Sequence, residues 1–500
     1  MKRLTLLFIL SLGLFQGYAQ SDLGARQLEH EDGVNDFFCQ EEDNPALKWG
    51  RYTTSLNRLK AYYDGRHANT APQLEQGDGH SLFGGDAQAF LRKEKISLWG
   101  HAKYQKGTIR NVKYSESEDF DLLYPYVIAD TIGGGKSRVE SYDFMGGVAY
   151  QLGKWLVGAQ GEYIAQLDYR TRDPRPKNLS GDLHVAVGGA YAIDSYNLGL
   201  SLGYQRYKQT NEVEIYDEVS MPVFYHLTGL GTDYYRFRGT YTDTYYKGHG
   251  WTTSLSLQPK GNRGVYAHAG YRYFTFDKII SDLNQLPMTT MQRYAQDAAL
   301  GYQSKGKIHN WGVKLTEKYQ RSNGTENVFG SPAGNIYPSL SSGILYKMTT
   351  FGFAGTGIYQ YHPQHALYET ALTLGRHTLK ESHIDPDRLL TSKDFSTEIA
   401  LKALWNIKRW TLKANAGWSY TWNTDADLQL SGTVNTSMIP QVYQRYAWSS
   451  QDRYAINGGV EAGYDTGKKF LVFLRSDLSY AHYAESCHTR VFNISAGIEF

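Results

Sequence analysis

Trp410-Thr411-Leu412-Lys413-Ala414-Asn415-Ala416-Gly417-Trp418-Ser419-Tyr420-Thr421-Trp422 puts an apolar or aromatic residue at every even position and a polar residue or glycine at every odd one. A period of two belongs to a strand, because successive side chains of extended backbone point to opposite faces. The apolar face carries rings at both ends, Trp410 at one and Trp418, Tyr420 and Trp422 at the other, with small aliphatic residues between them. Residues 155–170 repeat the design: Trp155, Val157, Ala159, Gly161, Tyr163, Ala165, Leu167 and Tyr169 face one way, and Gln160, Glu162, Gln166, Asp168 and Arg170 the other. A water-soluble sandwich would fill its apolar face with large aliphatics. A face of Ala, Gly and Leu bounded by Tyr and Trp is composed like a lipid-facing band between two aromatic girdles, and the charged face then turns toward a lumen.

From about residue 50 the same alternation recurs, joined by connections of two kinds. Those at 152–154, 193–195, 259–263, 305–307, 363–365, 408–409 and 467–469 are short; those at 107–136, 209–248, 277–291, 321–339, 381–394 and 425–452 are long and polar. Short turns at one end and long loops at the other are the asymmetry of an outer-membrane barrel. The pattern therefore predicts an all-β fold: a transmembrane antiparallel up-and-down β-barrel of about 16 to 18 strands, with short periplasmic turns and long extracellular loops. A first hairpin, 52–63 with 81–91, favours 18.

Composition agrees. The 500 residues include 41 Tyr, 20 Phe and 10 Trp, and 52 Lys+Arg stand against 50 Asp+Glu. A chain that close to neutral is no general nucleic-acid binder. Beyond the first 20 residues there is no apolar run of about 18, so helical spans are excluded. Lys2 and Arg3, the apolar stretch 4–15, and small Gly17 and Ala19 predict a cleaved secretory signal over 1–19. Residues 20–48, acidic at Glu29, Glu31, Asp32, Asp36, Glu41, Glu42 and Asp43, either stay in the periplasm or fold into the lumen as a small plug; 49–500 form the barrel. Cys39 and Cys487 are too few for a disulfide scaffold, and whether they pair is open.

Val491-Phe492-Asn493-Ile494-Ser495-Ala496-Gly497-Ile498-Glu499-Phe500 alternates to an aromatic end. Here the chain resembles the Gram-negative outer-membrane barrels, whose assembly machinery recognises such a strand. That resemblance implies a membrane-insertion signal at Ile494, Ile498 and Phe500. Leu98-Trp99-Gly100-His101-Ala102-Lys103-Tyr104, Leu122-Leu123-Tyr124-Pro125-Tyr126 and Arg172-Asp173-Pro174-Arg175-Pro176 are similar to stretches of a family of outer-membrane barrels from Bacteroidota. That family implies a location and a fold and no activity.

Catalytic constellations are weak. Gly133-Gly134-Gly135-Lys136-Ser137 lacks the first glycine of a P-loop, with Asp130 in its place, and is followed by strand-like alternation over 138–150, so it reads as a loop tip. Gly199-Leu200-Ser201-Leu202-Gly203 matches a nucleophile elbow, but inside a uniform strand. Glu162 and Asp168 share a face about 20 Å apart, too far for paired carboxylates. His362 and His365 lie in a turn with no carboxylate near, and Glu116 to Asp121 reads as a solvated acidic loop. No enzyme activity, cofactor or metal is expected.

The expected working surface is the lumen, lined by Lys103, Glu162, Asp168, Arg170, Arg272, Lys314, Lys318, Lys402, Lys413, Glu461, Arg475 and Asp477. Mixed signs indicate neither a simple anion nor a simple cation pore. The favoured function is a porin-like or substrate-specific passive channel of the outer membrane. The alternative is a non-conducting barrel docking a surface lipoprotein, glycan or secretion partner through extracellular loops, among them Asp173, Pro174, Arg175 and Pro176. Expected partners are membrane lipid and lipopolysaccharide, the barrel-assembly machinery, and a surface lipoprotein or further copies of the chain. A TonB-dependent transporter is disfavoured, since 20–48 is too small for its plug and such walls have about 22 strands.

Overall fold

The computed structural model describes residues 23–38, 43–131, 134–217, 222–239, 243–334, 336–432, 436–467, 469–483 and 487–500. The expected signal at 1–19 and Cys39 lie outside them; Cys487 is a free thiol. Eighteen strands form the wall: β1 (Leu56–Ala68), β2 (Gly79–Arg92), β3 (Ile96–Val112), β4 (Gly135–Leu152), β5 (Trp155–Arg170), β6 (Arg175–Ile193), β7 (Tyr196–Glu214), β8 (Thr244–Pro259), β9 (Arg263–Ile280), β10 (Leu286–Lys305), β11 (His309–Phe329), β12 (Ser339–Tyr361), β13 (Ala366–His383), β14 (Arg388–Ile407), β15 (Trp410–Leu430), β16 (Arg453–Asp465), β17 (Leu471–Tyr483) and β18 (Cys487–Glu499). Each pairs antiparallel with its neighbours in the chain, and β1 pairs with β18 from Arg58↔Glu499 to Ala68↔Thr489. The sheet has no free edge, which closes the barrel at the 18 strands the alternation favoured.

The outer face confirms lipid as its solvent. Leu401, Val460, Leu474 and Val187 are 51 to 63% exposed, which water would not tolerate over a whole wall. Rings pair at both rims of this band. Trp155 meets Tyr191 at 4.7 Å and Trp410 meets Tyr464 at 5.0 Å near the short turns. Near the long loops Tyr204 meets Trp251 at 4.7 Å and Tyr420 meets Trp422 at 4.6 Å. The eleven residues from Trp410 to Tyr420 span about 33 Å of strand, or about 25 Å of height at a tilt of about 40°, which fits the apolar band of a bilayer.

The loop expectations need correction. Strands run well past the apolar band, so 277–291 shrinks to a connection at 281–285, 321–339 to one at 330–338 and 381–394 to one at 384–387. Arg175 and Pro176 belong to β6, with Pro176 opposite Val213, and only Asp173 and Pro174 lie in the turn. That turn is pinned, because the Asp173 carboxylate accepts the backbone N–H of Tyr216 and Asp217 at 2.8 and 2.7 Å. Ser201 sits in a strand, as its alternation implied, and its hydroxyl meets Ser254 at 2.7 Å; Ser137, expected at a loop tip, belongs instead to β4, which begins at Gly135.

Candidate functional site

By register, every residue named above as lumenal lies on the face opposite the exposed apolar row. They do not all face open space. At the short-turn end, residues 23–38 and 43–55 run around the inside of the wall. Leu23 packs on Leu471 and Phe473, and Leu28 on Leu367 and Leu404. The helix Gly33–Phe37 begins where Asp32 caps it and Glu369 accepts the Gly33 N–H at 3.1 Å. Phe37 and Phe38 then reach Tyr266, Ala299 and Ile358, and Lys314 donates to the Phe37 carbonyl at 2.6 Å. Asp43 meets Arg272 at 3.5 Å. Asn44 and Ala46 sit against β5 to β7 where those strands carry glycines: a Cβ on Gly158 would come within 2.6 Å of the Ala46 nitrogen. Lys48 reaches Gln160 on β5 at 2.6 Å. The segment then returns to its own start, with Arg51 pairing Asp36 at 2.9 Å, Tyr52 stacking on His30 at 3.9 Å and the Thr54 N–H donating to Glu29 at 3.1 Å.

One ionic hub fastens this loop of chain. Lys413 meets Glu31 and Glu461, each at 2.9 Å, and Glu499 at 3.6 Å; Lys402 meets Glu31 at 2.5 Å. Arg58 joins Glu461 and Glu499 at 2.6 and 2.8 Å. Burial works to raise the Glu31 carboxyl, but Lys413 and Lys402 beside it hold it well below the usual carboxylate range. Sequence alternation flagged the lysines; what it passed over was the inward set Leu156, Leu367, Leu404 and Phe473. Apolar residues on an otherwise polar face, all near short turns, are the signal that something covers them.

The opposite end is filled from above. The acidic run Glu116 to Asp121 is not a solvated loop. It descends into the barrel, where Glu116 pairs with Arg170 and its carbonyl accepts from Asn178 and Asn211 at 2.9 and 2.6 Å. Asp119 accepts from Tyr207 at 2.6 Å and Gln166 at 2.9 Å, and Asp168 binds Ser137. Tyr124 and Tyr346 both donate to Glu381, at 2.6 and 3.0 Å, and Arg445 of the helix Ile439–Ser450 closes on the same carboxylate at 2.9 Å. Tyr126, Val127 and Leu227 complete an apolar core with Tyr246, Phe276 and Met291 of the wall.

Burial, reinforced by the neighbouring Asp119 and Asp168, pushes the Glu118 carboxyl up to about 9. A carboxyl raised on folding stabilises the folded loop below its ordinary pKa near 4.3, and that contribution fades as pH rises toward 9. Protease access to residues 113–131 in the folded barrel should therefore increase between pH 5 and pH 10, and Glu118→Gln should flatten the profile. A flat profile in the unaltered protein counts against it.

Between the two fillings the wall faces open lumen. Lys318 and Glu398 are inward yet exposed, and Lys103, Glu162, Arg475 and Asp477 border the same space. Arg475 grips Asp477 at 2.7 Å. A cavity of about 400 Å³ touches Lys60, Asp86, His101, Lys103 and Asp143. Glu162 and Asp168 work apart, one beside this cavity's wall and the other holding the descended loop.

A closed 18-stranded transmembrane barrel with a charged lumen, filled at both ends by its own chain, is the class these features define. Residues 45–500 match the family of unknown function DUF6850, and the chain belongs to that family. No curated protein matches it. Among solved structures it is similar to the ferric enterobactin receptor PfeA of Pseudomonas aeruginosa, at 9% identity and a TM-score of 0.40 over 90% of this chain and 82% of that one. The ferric preacinetobactin receptor BauA of Acinetobacter baumannii gives 9%, 0.38, 89% and 80%. The ferric-catecholate import receptor Fiu of E. coli K12 gives 9%, 0.38, 89% and 81%. The likeness is one of barrel fold.

Proposed function

We propose that the protein is a gated passive solute channel of the outer membrane, exported by its N-terminal signal and inserted with lipopolysaccharide outside and periplasm at the short turns. The supporting observation is the seating of residues 23–38 and 43–55: ion pairs, hydrogen bonds and a few apolar contacts to the inner wall hold this short segment across the periplasmic mouth. A gate needs a part that can move without opening the wall, and this segment is not one of the wall's strands. Released, the segment opens the periplasmic side of a lumen lined by Lys103, Glu162, Arg272, Arg475 and Asp477, which selects solutes by size and charge. Ile494, Ile498 and Phe500 are assigned to insertion: both isoleucines face outward, and Phe500 exchanges backbone hydrogen bonds with Asn57 at 2.9 and 3.0 Å.

The test is single-channel conductance in planar bilayers, after heat-modifiable migration establishes folding. The full mature chain should be closed for most of a recording. Removing residues 20–48 and, in the same chain, releasing the descended loop with Arg170→Met should give frequent, discrete, salt-dependent steps. Every 1.4 kcal/mol of lost anchoring multiplies the open-to-closed ratio about tenfold, so a weakening of about 3 kcal/mol raises it roughly a hundredfold. A folded deletion variant that stays silent would sink the channel reading and leave loop-mediated docking.

A further inference from the structure

We propose that His101, Asp143 and Glu162 form a binding site for a divalent transition-metal ion at mid-height in the lumen. The residues lie on consecutive strands β3, β4 and β5, all pointing inward. Register lines them up: His101 is opposite Met145, Met145 is opposite Glu162, and Asp143 is the next inward residue of β4. One imidazole nitrogen and one oxygen from each carboxylate lie within 4.8 Å of one another. Bonds of about 2.0 to 2.2 Å bring ligand atoms to at most about 4.4 Å apart, so an ion would draw this set in by a few tenths of an ångström.

Two further observations point to a cation. His101 Nε2 and Asp143 Oδ1 approach to 2.8 Å, both are shielded from solvent, and neither has a hydrogen-bond partner beyond that contact. Among the described residues, neither Asp143 nor Glu162 has a lysine or arginine ion pair, although Lys103 stands directly opposite Asp143 in register. His184, opposite Glu162, is engaged with Asp182 at 3.0 Å and stays outside the set. Two carboxylates and an imidazole make a donor set suited to a divalent cation, and the adjoining cavity of about 400 Å³ leaves room for water on the open coordination positions. An imidazole ligand selects Zn²⁺, Co²⁺, Fe²⁺ or Mn²⁺ over Mg²⁺ and Ca²⁺, which prefer oxygen alone.

The site does not depend on conduction, so a silent barrel leaves it standing. The experiment titrates the folded mature chain, stripped with chelator and held in detergent, with Zn²⁺ by calorimetry and with Co²⁺ by its visible absorption. One ion per chain is expected, undisplaced by millimolar Ca²⁺. The triple variant H101A/D143N/E162Q should bind neither ion, and His101→Gln alone should weaken Zn²⁺ at least tenfold at unchanged heat-modifiable migration. Absence of binding in the unaltered chain overturns the proposal. So does Zn²⁺ binding that survives His101→Gln or the folded triple variant undiminished.

Discussion

Lys413→Met should free residues 23–55 from the inner wall and lower the stability of the folded barrel by about 3 to 5 kcal/mol. Lys413 is 6% exposed, and its partners Glu461 and Glu499 are 2% and 1% exposed. Methionine keeps most of the volume and removes the charge, which leaves the buried Glu461 and Glu499 to Arg58, with Arg475 3.8 Å from Glu461, and Glu31 to Lys402 alone. The loss would appear as a lower urea midpoint in lipid vesicles and as new trypsin cleavage after Arg26, Lys48 and Arg51. Because Glu31 titrates below the usual range, its contribution is complete at neutral pH and disappears only in strong acid. Trypsin resistance in the variant equal to that of the parent would show that the hub does not anchor the segment.

Arg170→Met should produce an effect of similar size at the other end. The Arg170 side chain is 3% exposed and that of Glu116 is fully buried. Removing the guanidinium strands a carboxylate whose second oxygen already lacks a partner, again about 3 to 5 kcal/mol. The expected signature is release of residues 113–131, read as proteolysis there with the wall intact. Glu116→Gln added to Arg170→Met should recover part of the loss, because the unpaired charge is then gone. Two variants that simply add would mean the pair contributes nothing beyond its separate members.

The wall was legible in the sequence because lipid imposes one rule on every strand. Trp410 to Trp422 obeys it residue by residue, and so the strand count and the inward set could be read without any partner information. Strand ends were less legible. β9 and β10 continue beyond the apolar band, where nothing distinguishes the outward face of a strand from a polar loop. The fillings were harder again, since Glu116 looks like any exposed acid until Arg170 is placed above it in space. His101, Asp143 and Glu162 are separated by 42 and 19 residues, and only register, which a single sequence does not carry, brings their ligand atoms together.

The hub around Lys413 also orders events in time. Arg58 belongs to the first wall strand, Lys413 to the fifteenth, and Glu461 and Glu499 to strands that include the one sealing the seam. The hub is not complete until the circle is joined, because Arg58 meets Glu499 only across the seam, so the full anchorage of the N-terminal segment is finished last. Its docking reports that closure has happened. A barrel that stalls with an open seam would keep an exposed, protease-sensitive tail, marking it for removal before it can leak.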